Sequence, residues 1–405
     1  MPTSPLHPLD PVVRDYAWGS RTVLAELRGR PTPSPGPEAE LWFGAHPSAP
    51  ARLLEPVDGA TSLLELIDAD PVTTLGPDVA ERFDGRLPFL VKLLAADQPL
   101  SLQAHPSLEQ AEQGFAREEA AGIDRAAPTR LYRDAWSKPE LLHALTPVSA
   151  LCGFREPDAT IALLDELDVT SLAGTRALLA DRGEDAFPDL LELALHDHGW
   201  ADADDAALAA AADRLAAGGG EFAAEARWLT RLLDRYPGDG GVRVALLLRL
   251  VELAPGEALH LPGGNLHAYL EGAGVEVMAS SDNVIRGGLT VKHVDVDELL
   301  RTVDARVLPP PVVVPEGVGP VTVLPAPTPF FRLERVDLDD AGEVTLDRAR
   351  GGPEVLIAVG REVAVRVGGQ AEVTVPPGGA AFVAAAAGGD LRVAGAGQLF
   401  RTTIG

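Results

Sequence analysis

Two residues of one short segment, Gln103 and His105, have the side chains and the spacing to bind a single metal ion together. Residues 99–106 read as a β-strand, and alternate residues of a strand point to the same face. Glu140 and His267 lie farther along the chain, so the fold would have to bring them to the same point. Two imidazoles, a carboxylate and a carboxamide suit a divalent metal that keeps a position open for substrate, as catalytic zinc does. Because no cysteine belongs to this set, a structural zinc of the finger type is disfavoured.

Further reactive side chains stand close to these four in the sequence. Lys138 precedes Glu140 by two residues and Tyr269 follows His267 by two, so on strands each would share a face with its neighbour. Arg286 is followed by two glycines, which let the backbone approach a ligand closely, and a guanidinium can hold an oxyanion through two hydrogen bonds. The sequence therefore predicts a metal centre with cationic groups beside it.

Eight segments, found in order along the chain, carry a family resemblance. They are YAWG (residues 16–19), AELWFGAHP (39–47), LPFLVKLL (87–94), PLSLQAHP (99–106), KPE (138–140), ALCGF (150–154), PGGNLHAY (262–269) and EVMASSDNVIRGGLT (276–290). Together they resemble the type I phosphomannose isomerases, zinc enzymes of the cupin superfamily. Any one segment is weak, but eight in the same order form a specific indication.

The resemblance implies one Zn²⁺ per chain as cofactor, with Gln103, His105, Glu140 and His267 as its ligands. It also implies that the substrate is a small hexose phosphate and that mannose 6-phosphate and fructose 6-phosphate are interconverted. Removing the proton next to the carbonyl gives a cis-enediol, which needs a base and a group that stabilises the developing oxyanion.

Roles for the remaining site residues follow from the same resemblance. Arg286 is implied to be the active-site arginine that stabilises negative charge. Lys138 and Arg286 rank first for catalysis, but the base stays open among Lys138, Tyr269, Glu276, Asp282 and zinc-bound water. The candidate substrate-binding residues are Trp18, Glu40, Lys92, Ser101 and Lys292.

One position departs from the family pattern. Relatives usually have Asn-His immediately before Lys-Pro-Glu, whereas this chain has Trp136 and Ser137. A serine hydroxyl does not titrate near neutral pH, so we expect a changed step in opening the sugar ring. The alternative is that Trp136 and Ser137 are a packing substitution. Four further histidines have no partner that the sequence identifies, and we interpret them as structural: His46, His143, His260 and His293.

Composition limits the partners and the compartment. The chain has 405 residues, 46% of them hydrophobic, and a formal net charge of -26. An acidic surface disfavours nucleic acid and anionic membranes, and any phosphate site must concentrate positive charge locally. A single cysteine, Cys152, excludes an intrachain disulfide. Without a recognisable signal peptide or a membrane-spanning apolar run, we expect a cytoplasmic protein, and we expect a monomer.

Changes in residue pattern divide the chain. Residues 156–245 are rich in Ala, Leu, Asp, Glu and Arg with apolar residues at helical spacing, whereas the flanking stretches alternate as strands do. We predict a mainly β protein with an α insertion. Its predicted parts are a cupin (jelly-roll) catalytic domain (1–155 plus 246–310), a helical inserted domain (156–245) and a C-terminal jelly-roll-like β-sandwich (311–405).

Two other functions fit the same class of scaffold. A non-catalytic sugar-phosphate sensor would keep Lys138 and Arg286 but lose metal ligands, and here the full set is present. A cupin oxygenase with iron usually shows more histidines in a compact His-x-His motif, where this chain has Gln103. Activity on glucose 6-phosphate stays open at this point.

Overall fold

Strands and helices occupy separate stretches of the chain. The computed structural model describes residues 5–196, 202–317, 319–338, 342–348 and 351–405. Within them, strands dominate as far as Phe154, helices fill the stretch from Pro157 to Leu247, and strands dominate again afterwards. No helix of this part of the chain is long and apolar enough to cross a membrane.

The strands are short and evenly distributed outside the helical stretch. In chain order they are β1 (Leu6–Asp10), β2 (Val12–Arg14), β3 (Glu40–Phe43), β4 (Arg52–Val57), β5 (Ala60–Ser62), β6 (Phe89–Ala96), β7 (Gln103–Ala104), β8 (Glu140–Ala144), β9 (Val148–Phe154), β10 (Leu248–Leu253), β11 (Ala258–Leu261), β12 (His267–Ala279), β13 (Ile285–Arg286), β14 (Val312–Val313), β15 (Val321–Leu324), β16 (Arg332–Leu338), β17 (Glu343–Leu346), β18 (Glu354–Val359), β19 (Val363–Val367), β20 (Val373–Val375), β21 (Ala380–Val383), β22 (Leu391–Gly395) and β23 (Gly397–Thr403).

The helices cluster in the middle of the chain, with short ones near the N-terminus. They are α1 (Val23–Leu27), α2 (Leu63–Ala69), α3 (Pro71–Leu75), α4 (Pro77–Arg82), α5 (Leu108–Ala120), α6 (Pro157–Leu167), α7 (Ala173–Arg182), α8 (Phe187–His196), α9 (Asp202–Gly218), α10 (Ala223–Arg235), α11 (Gly240–Leu247) and α12 (Val296–Thr302). Short 3₁₀ turns at Thr170–Leu172 and Gly183–Ala186 join some of them.

The strands form three antiparallel sheets. An eleven-stranded sheet, here called the cavity sheet, has the order β14-β11-β8-β12-β6-β3-β2 with β7, β9, β10 and β13 attached beside β12. An eight-stranded sheet, the bridging sheet, has the order β15-β16-β23-β18-β21-β1-β4-β5. The outer sheet has four strands, β17-β22-β19-β20. These sheets and the helical stretch between them confirm the prediction of a mainly β protein with an α insertion.

Side-chain alternation along the central strands separates the core from the site. In β6, Val91 and Leu93 enter the core between the cavity and bridging sheets, whereas Lys92 points to the opposite face and lines a cavity. In β3, Leu41 joins the same core and Glu40 the same cavity. Because successive side chains alternate between faces, burying one face of these strands fixes which residues reach the cavity.

Two helices begin where the sequence predicts. The Ser107 hydroxyl accepts from the backbone N–H of Gln110, whose side chain accepts from the N–H of Ser107, so α5 starts with a complete capping box. Asp295 caps α12 through the N–H of Glu298. By contrast, only Gln103 and Ala104 of the predicted strand over residues 99–106 pair as a strand. Prolines lack an N–H to donate, and Pro99 and Pro106 bound the segment.

The bridging sheet links the two ends of the chain. Strand β1 pairs with β21 on one side and with β4 on the other. Its residues Leu6 and Leu9 are buried in different cores, one on each face of the sheet, which explains why this strand is central and not at an edge. The predicted boundaries did not include this link. The division into three domains stays a prediction.

Candidate metal centre and active-site cavity

A cavity of about 550 Å³ opens on one face of the cavity sheet. Strands β3, β6, β8 and β12 supply its floor, and the segment that ends in Lys292 supplies part of its rim. All residues predicted for the site line this cavity, with the exception of His105 and His267. Those that line it are Trp18, Glu40, Lys92, Ser101, Gln103, Lys138, Glu140, Tyr269, Glu276, Asp282, Arg286 and Lys292.

His105, Glu140 and His267 converge at one buried point. Each offers a ligand atom, and these atoms lie within 4.8 Å of one another. His105 Nε2 is 3.1 Å from Glu140 Oε1, and His267 Nε2 is 3.5 Å from Glu140 Oε2. Gln103 stands opposite His267 in the strand register. The fold thus brings together three ligands that are far apart in the sequence and places the fourth beside them.

Backbone carbonyls orient the two imidazoles for metal binding. His105 Nδ1 is 2.9 Å from the carbonyl oxygen of Asn283, and His267 Nδ1 is 3.0 Å from that of Asn265. A carbonyl only accepts, so each Nδ1 carries the proton and each Nε2 presents a lone pair. Both Nε2 atoms and Glu140 Oε2 are buried without a hydrogen-bond partner. Such unpaired acceptors are costly unless a cation binds them, so this donor set fits a divalent metal.

The charges at this point favour ligands in their metal-binding protonation states. Burial lowers the pKa of His105 to about 4, and the nearby Lys138 ammonium contributes in the same direction. Burial alone would raise the pKa of Glu140, but Lys138 and the imidazoles bring it well below its usual value. Lys138 Nζ lies 2.9 Å from Glu140 Oε1. The His105 imidazole is therefore neutral and the Glu140 carboxyl is ionised at neutral pH.

A second buried group of charges lies on the cavity floor. Lys92 Nζ is 3.0 Å from Glu276 Oε2 and 3.3 Å from Glu40 Oε1, and the indole N–H of Trp42 donates to Glu40 at 2.7 Å. Burial raises the pKa of Glu276, although Lys92 opposes it. Burial, with the Glu276 carboxylate, raises the pKa of Tyr269 well above its usual value. Glu40, a candidate substrate-binding residue, is buried at this floor.

The part of the cavity rim that carries Arg286 and Lys292 is cationic. Arg286 is half-buried, and its Nε atom has no hydrogen-bond partner. Burial lowers the pKa of Arg286, and Arg133 acts in the same direction. Burial likewise lowers the pKa of Lys292, with Arg286 and Arg133 adding to the effect. Positive charges gathered in this way would be stabilised by a bound anion.

Sequence reasoning missed several residues of the cavity wall. The interpretation of His46 as a residue outside the site is corrected. Its side chain lines the cavity, and its Nε2 atom is 3.3 Å from Asp282 Oδ2. Its partner lies more than half the chain away, so no local pattern indicated it. Arg235 and Tyr236, at the end of α10, also line the cavity. The Tyr236 hydroxyl donates to the Pro99 carbonyl at 2.9 Å, which joins the helical stretch to the cavity wall.

Trp136, one of the two residues that depart from the family pattern, is a packing residue. Its ring contacts Phe83 and Phe330 at centroid distances of 5.8 and 5.6 Å, and the guanidinium of Arg86 lies 3.7 Å from its ring centroid. Its carbonyl accepts from Asn283 Nδ2 at 2.9 Å. Ser137 is partly buried and is not among the residues that line the cavity.

Comparisons with known proteins agree with this site. A family model described as "Phosphomannose isomerase type I, catalytic domain" matches residues 6–157. The mannose-6-phosphate isomerase of Escherichia coli is 41% identical over 335 residues, which are 81% of this chain and 83% of the relative. The human mannose-6-phosphate isomerase is 34% identical over 314 residues, covering 72% of this chain and 71% of its own.

Solved structures match almost the whole chain. The apo form of mannose 6-phosphate isomerase from Salmonella typhimurium has a TM-score of 0.87 at 35% identity and covers 99% of this chain and 100% of its own. A zinc-bound mannose 6-phosphate isomerase has a TM-score of 0.88 with the same identity and coverage. Because its sequence identity to these relatives extends over most of both chains, the chain belongs to the type I phosphomannose isomerase (mannose-6-phosphate isomerase) family.

Proposed function

We propose that this chain is a zinc-dependent aldose–ketose isomerase that interconverts mannose 6-phosphate and fructose 6-phosphate through a cis-enediol. The observation that carries the proposal is the convergence of His105, Glu140 and His267, with their outward ligand atoms buried and unpaired. Gln103 would complete the set. Family membership supplies the substrate class, because the relatives are named for this activity.

The proposed reaction moves a proton and a carbonyl between two neighbouring carbons. In the direction from aldose to ketose, the C2 proton is removed and the C1 carbonyl oxygen gains a proton, which gives the enediol. The O2 hydroxyl then loses its proton as C2 becomes the carbonyl, and a proton is delivered to C1. Zinc, when bound, supplies a Lewis acid that polarises a carbonyl. The chain itself must supply a proton carrier and a stabiliser of the charge that develops on oxygen.

Among the candidate bases, Lys138 is the one we favour for moving the proton between C1 and C2. Its Nζ atom is buried beside Glu140 and lines the cavity. A metal bound to Glu140 would weaken this ion pair and allow Lys138 to act in its neutral form on a substrate held there. Tyr269 is a weaker candidate because burial raises its pKa, and Glu276 is already paired with Lys92. Arg286, with an unpaired Nε atom, is suited to hold the enediolate oxygens.

We assign the phosphate to the cationic rim. Lys292 is exposed there and Arg286 is half-buried beside it, so the local charge is positive on a chain whose formal net charge is -26. Ser101 and Trp18 line the wall between rim and floor and would contact the sugar. Lys92 is enclosed by Glu40 and Glu276, so its role would be to hold these carboxylates in place.

An assay with and without a chelator tests the proposal. We expect the purified protein to convert mannose 6-phosphate to fructose 6-phosphate, to lose this activity with its metal, and to recover it with Zn²⁺. Binding of mannose 6-phosphate without turnover would instead indicate a sensor, and activity that survives complete removal of metal would contradict the zinc proposal. The monomeric state and the cytoplasmic location stay predictions.

A further inference from the structure

The corner between α10 and α11 brings the helical insertion to the rim of the cavity. Helix α10 ends at Arg235 and α11 begins at Gly240. Arg235 and Tyr236 line the cavity, although both belong to the helical stretch. Across from this corner runs the rim loop, defined here as residues 287–292, which ends in the cation assigned to the substrate phosphate. The corner is therefore placed to act on that loop.

Asp239, in the middle of this corner, holds two segments at once, one through each carboxylate oxygen. Its Oδ1 atom accepts from the backbone N–H of Gly241 at 2.7 Å, which caps the start of α11. Its Oδ2 atom accepts from the backbone N–H of Thr290 in the rim loop at 3.0 Å. The Thr290 hydroxyl in turn accepts from the backbone N–H of Lys292 at 3.1 Å. Two successive hydrogen bonds thus connect the helical corner to Lys292.

The backbone of the rim loop adopts a conformation that needs support. Leu289 is buried and has a φ of 54°, in the left-handed region that residues other than glycine rarely adopt. Gly288 has a φ of 113°, and a Cβ atom on it would lie 2.5 Å from the Cα atom of Gly241, so the loop and the corner pack backbone against backbone. Such a conformation persists only where surrounding contacts hold it, and the hydrogen bond from Thr290 to Asp239 is one of these contacts.

The residues just before this point are held by a different part of the molecule. Arg286 pairs with Gln103 on β7. Leu102 exchanges backbone hydrogen bonds of 2.9 and 3.0 Å with the two residues that follow Arg286. The strand pairing therefore fixes Arg286 without help from the helical insertion. A change at Asp239 should reach Lys292 and leave Arg286 in place.

We propose that Asp239 is a positioning residue through which the helical insertion holds Lys292 at the phosphate end of the cavity. The inference rests on the proposed function, in which Lys292 contacts the substrate phosphate and Arg286 holds the enediolate. A phosphate contact is equally strong in the ground state and the transition state, so weakening it raises KM and leaves kcat unchanged. Asp239 therefore governs the affinity for the phosphorylated sugar and not the chemical step.

The variant D239N separates this role from that of a helix cap. Asparagine caps a helix about as well as aspartate, but its carboxamide has one oxygen for two N–H groups. We expect the free energy of unfolding and kcat to stay near those of the parent. KM for mannose 6-phosphate, and the inhibition constant of inorganic phosphate, should both rise roughly three- to tenfold, the scale of one lost hydrogen bond. The matched control is D70N, since Asp70 caps α3 through the N–H of Thr73 at 3.0 Å and lies outside the cavity lining.

A double-mutant cycle tests whether Asp239 acts through Lys292. K292A alone should raise KM, and D239N/K292A should raise it no further, whereas independent contributions would multiply. T290A removes the hydroxyl that accepts from Lys292 and leaves the corner intact, so it should also raise KM and decides the matter if D239N does not fold. A parent-like KM in D239N and T290A, multiplied effects in the cycle, or a loss confined to kcat would overturn the inference. An inactive parent would instead overturn the proposed function.

Discussion

Two clusters of buried charge in this protein are built from similar residues and differ in how completely their atoms are paired. The cavity cluster consists of His105, Lys138, Glu140 and His267. The C-terminal cluster, on the bridging sheet and the segment before β18, consists of Glu334, Arg348, Glu354 and Arg401. In the second, Arg401 donates to Glu354 at 2.6 Å, to Glu334 at 3.0 Å and to the Asp347 carbonyl at 2.8 Å.

The difference shows what identifies a binding site. Both clusters adjoin a void, since Arg401 and Glu334 line a second cavity of about 260 Å³. Among the described residues, however, every buried polar side-chain atom of the C-terminal cluster has a hydrogen-bond partner. In the cavity cluster, His105 Nε2, Glu140 Oε2 and His267 Nε2 are buried without one. Charge and empty space are common to both. The unpaired acceptors separate a site prepared for a cation from an ion-pair network that serves the fold.

The largest effect should come from removing a ligand of the cavity cluster. We expect H267A to hold less than one zinc per chain and to lose activity by ~10³-fold or more, because even partners behind a metal ligand are worth 10–100-fold. Metal analysis and the isomerase assay measure both. H260Q, on β11 but outside the cavity lining, should behave as the parent. One tightly bound zinc retained in H267A would refute the ligand assignment.

The C-terminal cluster should respond in stability and not in activity. R401M leaves Glu334 and Glu354 buried without their shared cation, which should lower the free energy of unfolding by about 3–5 kcal/mol. Denaturant unfolding measures this change, and kcat of the folded protein should stay near that of the parent. The control is R366M, which removes an exposed pair with Glu343 and should cost under ~1 kcal/mol. A large loss of kcat in folded R401M would erase the contrast between the clusters.

Arg286 should separate transition-state binding from substrate binding. Arg286 lines the cavity and has an unpaired Nε atom. In the mechanism that we propose it holds the enediolate, so R286A should lower kcat by roughly 10²-fold, as the loss of an oxyanion donor does. K292A, at the exposed rim, should chiefly raise KM, because a phosphate contact is equal in ground and transition states. Steady-state kinetics on both variants test this. Near-normal kcat in R286A would assign it to the phosphate alone.

Ser137 should give the smallest effect. Because Trp136 packs against Phe83 and Phe330 and Ser137 does not line the cavity, we expect S137H to change kcat within roughly twofold, as remote substitutions do. The pH–rate profile should match those of S137A and the parent. A raised turnover, or a moved acidic limb without a change in zinc content, would restore the hypothesis that Ser137 marks an altered ring-opening step.

The three clustered metal ligands could be named from the sequence because the motifs that contain them are local and collinear. The strand alternation invoked for Gln103 and His105 and for Lys138 and Glu140 was not needed, since His105 and Lys138 lie outside the strands. The helix starts at Ser107 and Asp295 were predictable for the same reason, since the residues that form a capping interaction lie within four positions of one another. What the sequence alone could not supply was the distance between His267 and Glu140.

Features that depend on distant pairing were missed. The contact of His46 with Asp282 forms only in the folded chain, and nothing near residue 46 in the sequence indicates it. Trp136 looked like a change in a catalytic motif, but its ring fills space beside Phe83 and Phe330, which belong to other parts of the chain. The place of β1 in the bridging sheet depends on β21. In each case the deciding partner is remote, so local periodicity carries no information about it.

The position of β1 also has a consequence for synthesis on the ribosome. Leu6 pairs with Val383 and Leu9 with Ala380, so β1 is made long before the strand that pairs with it on this edge. At roughly 5–20 residues per second, the intervening chain takes on the order of 20–75 seconds to emerge. During that time β1 has an unpaired edge and exposed leucines, which are features that promote aggregation. The nascent chain should therefore depend on chaperones until β21 has been translated.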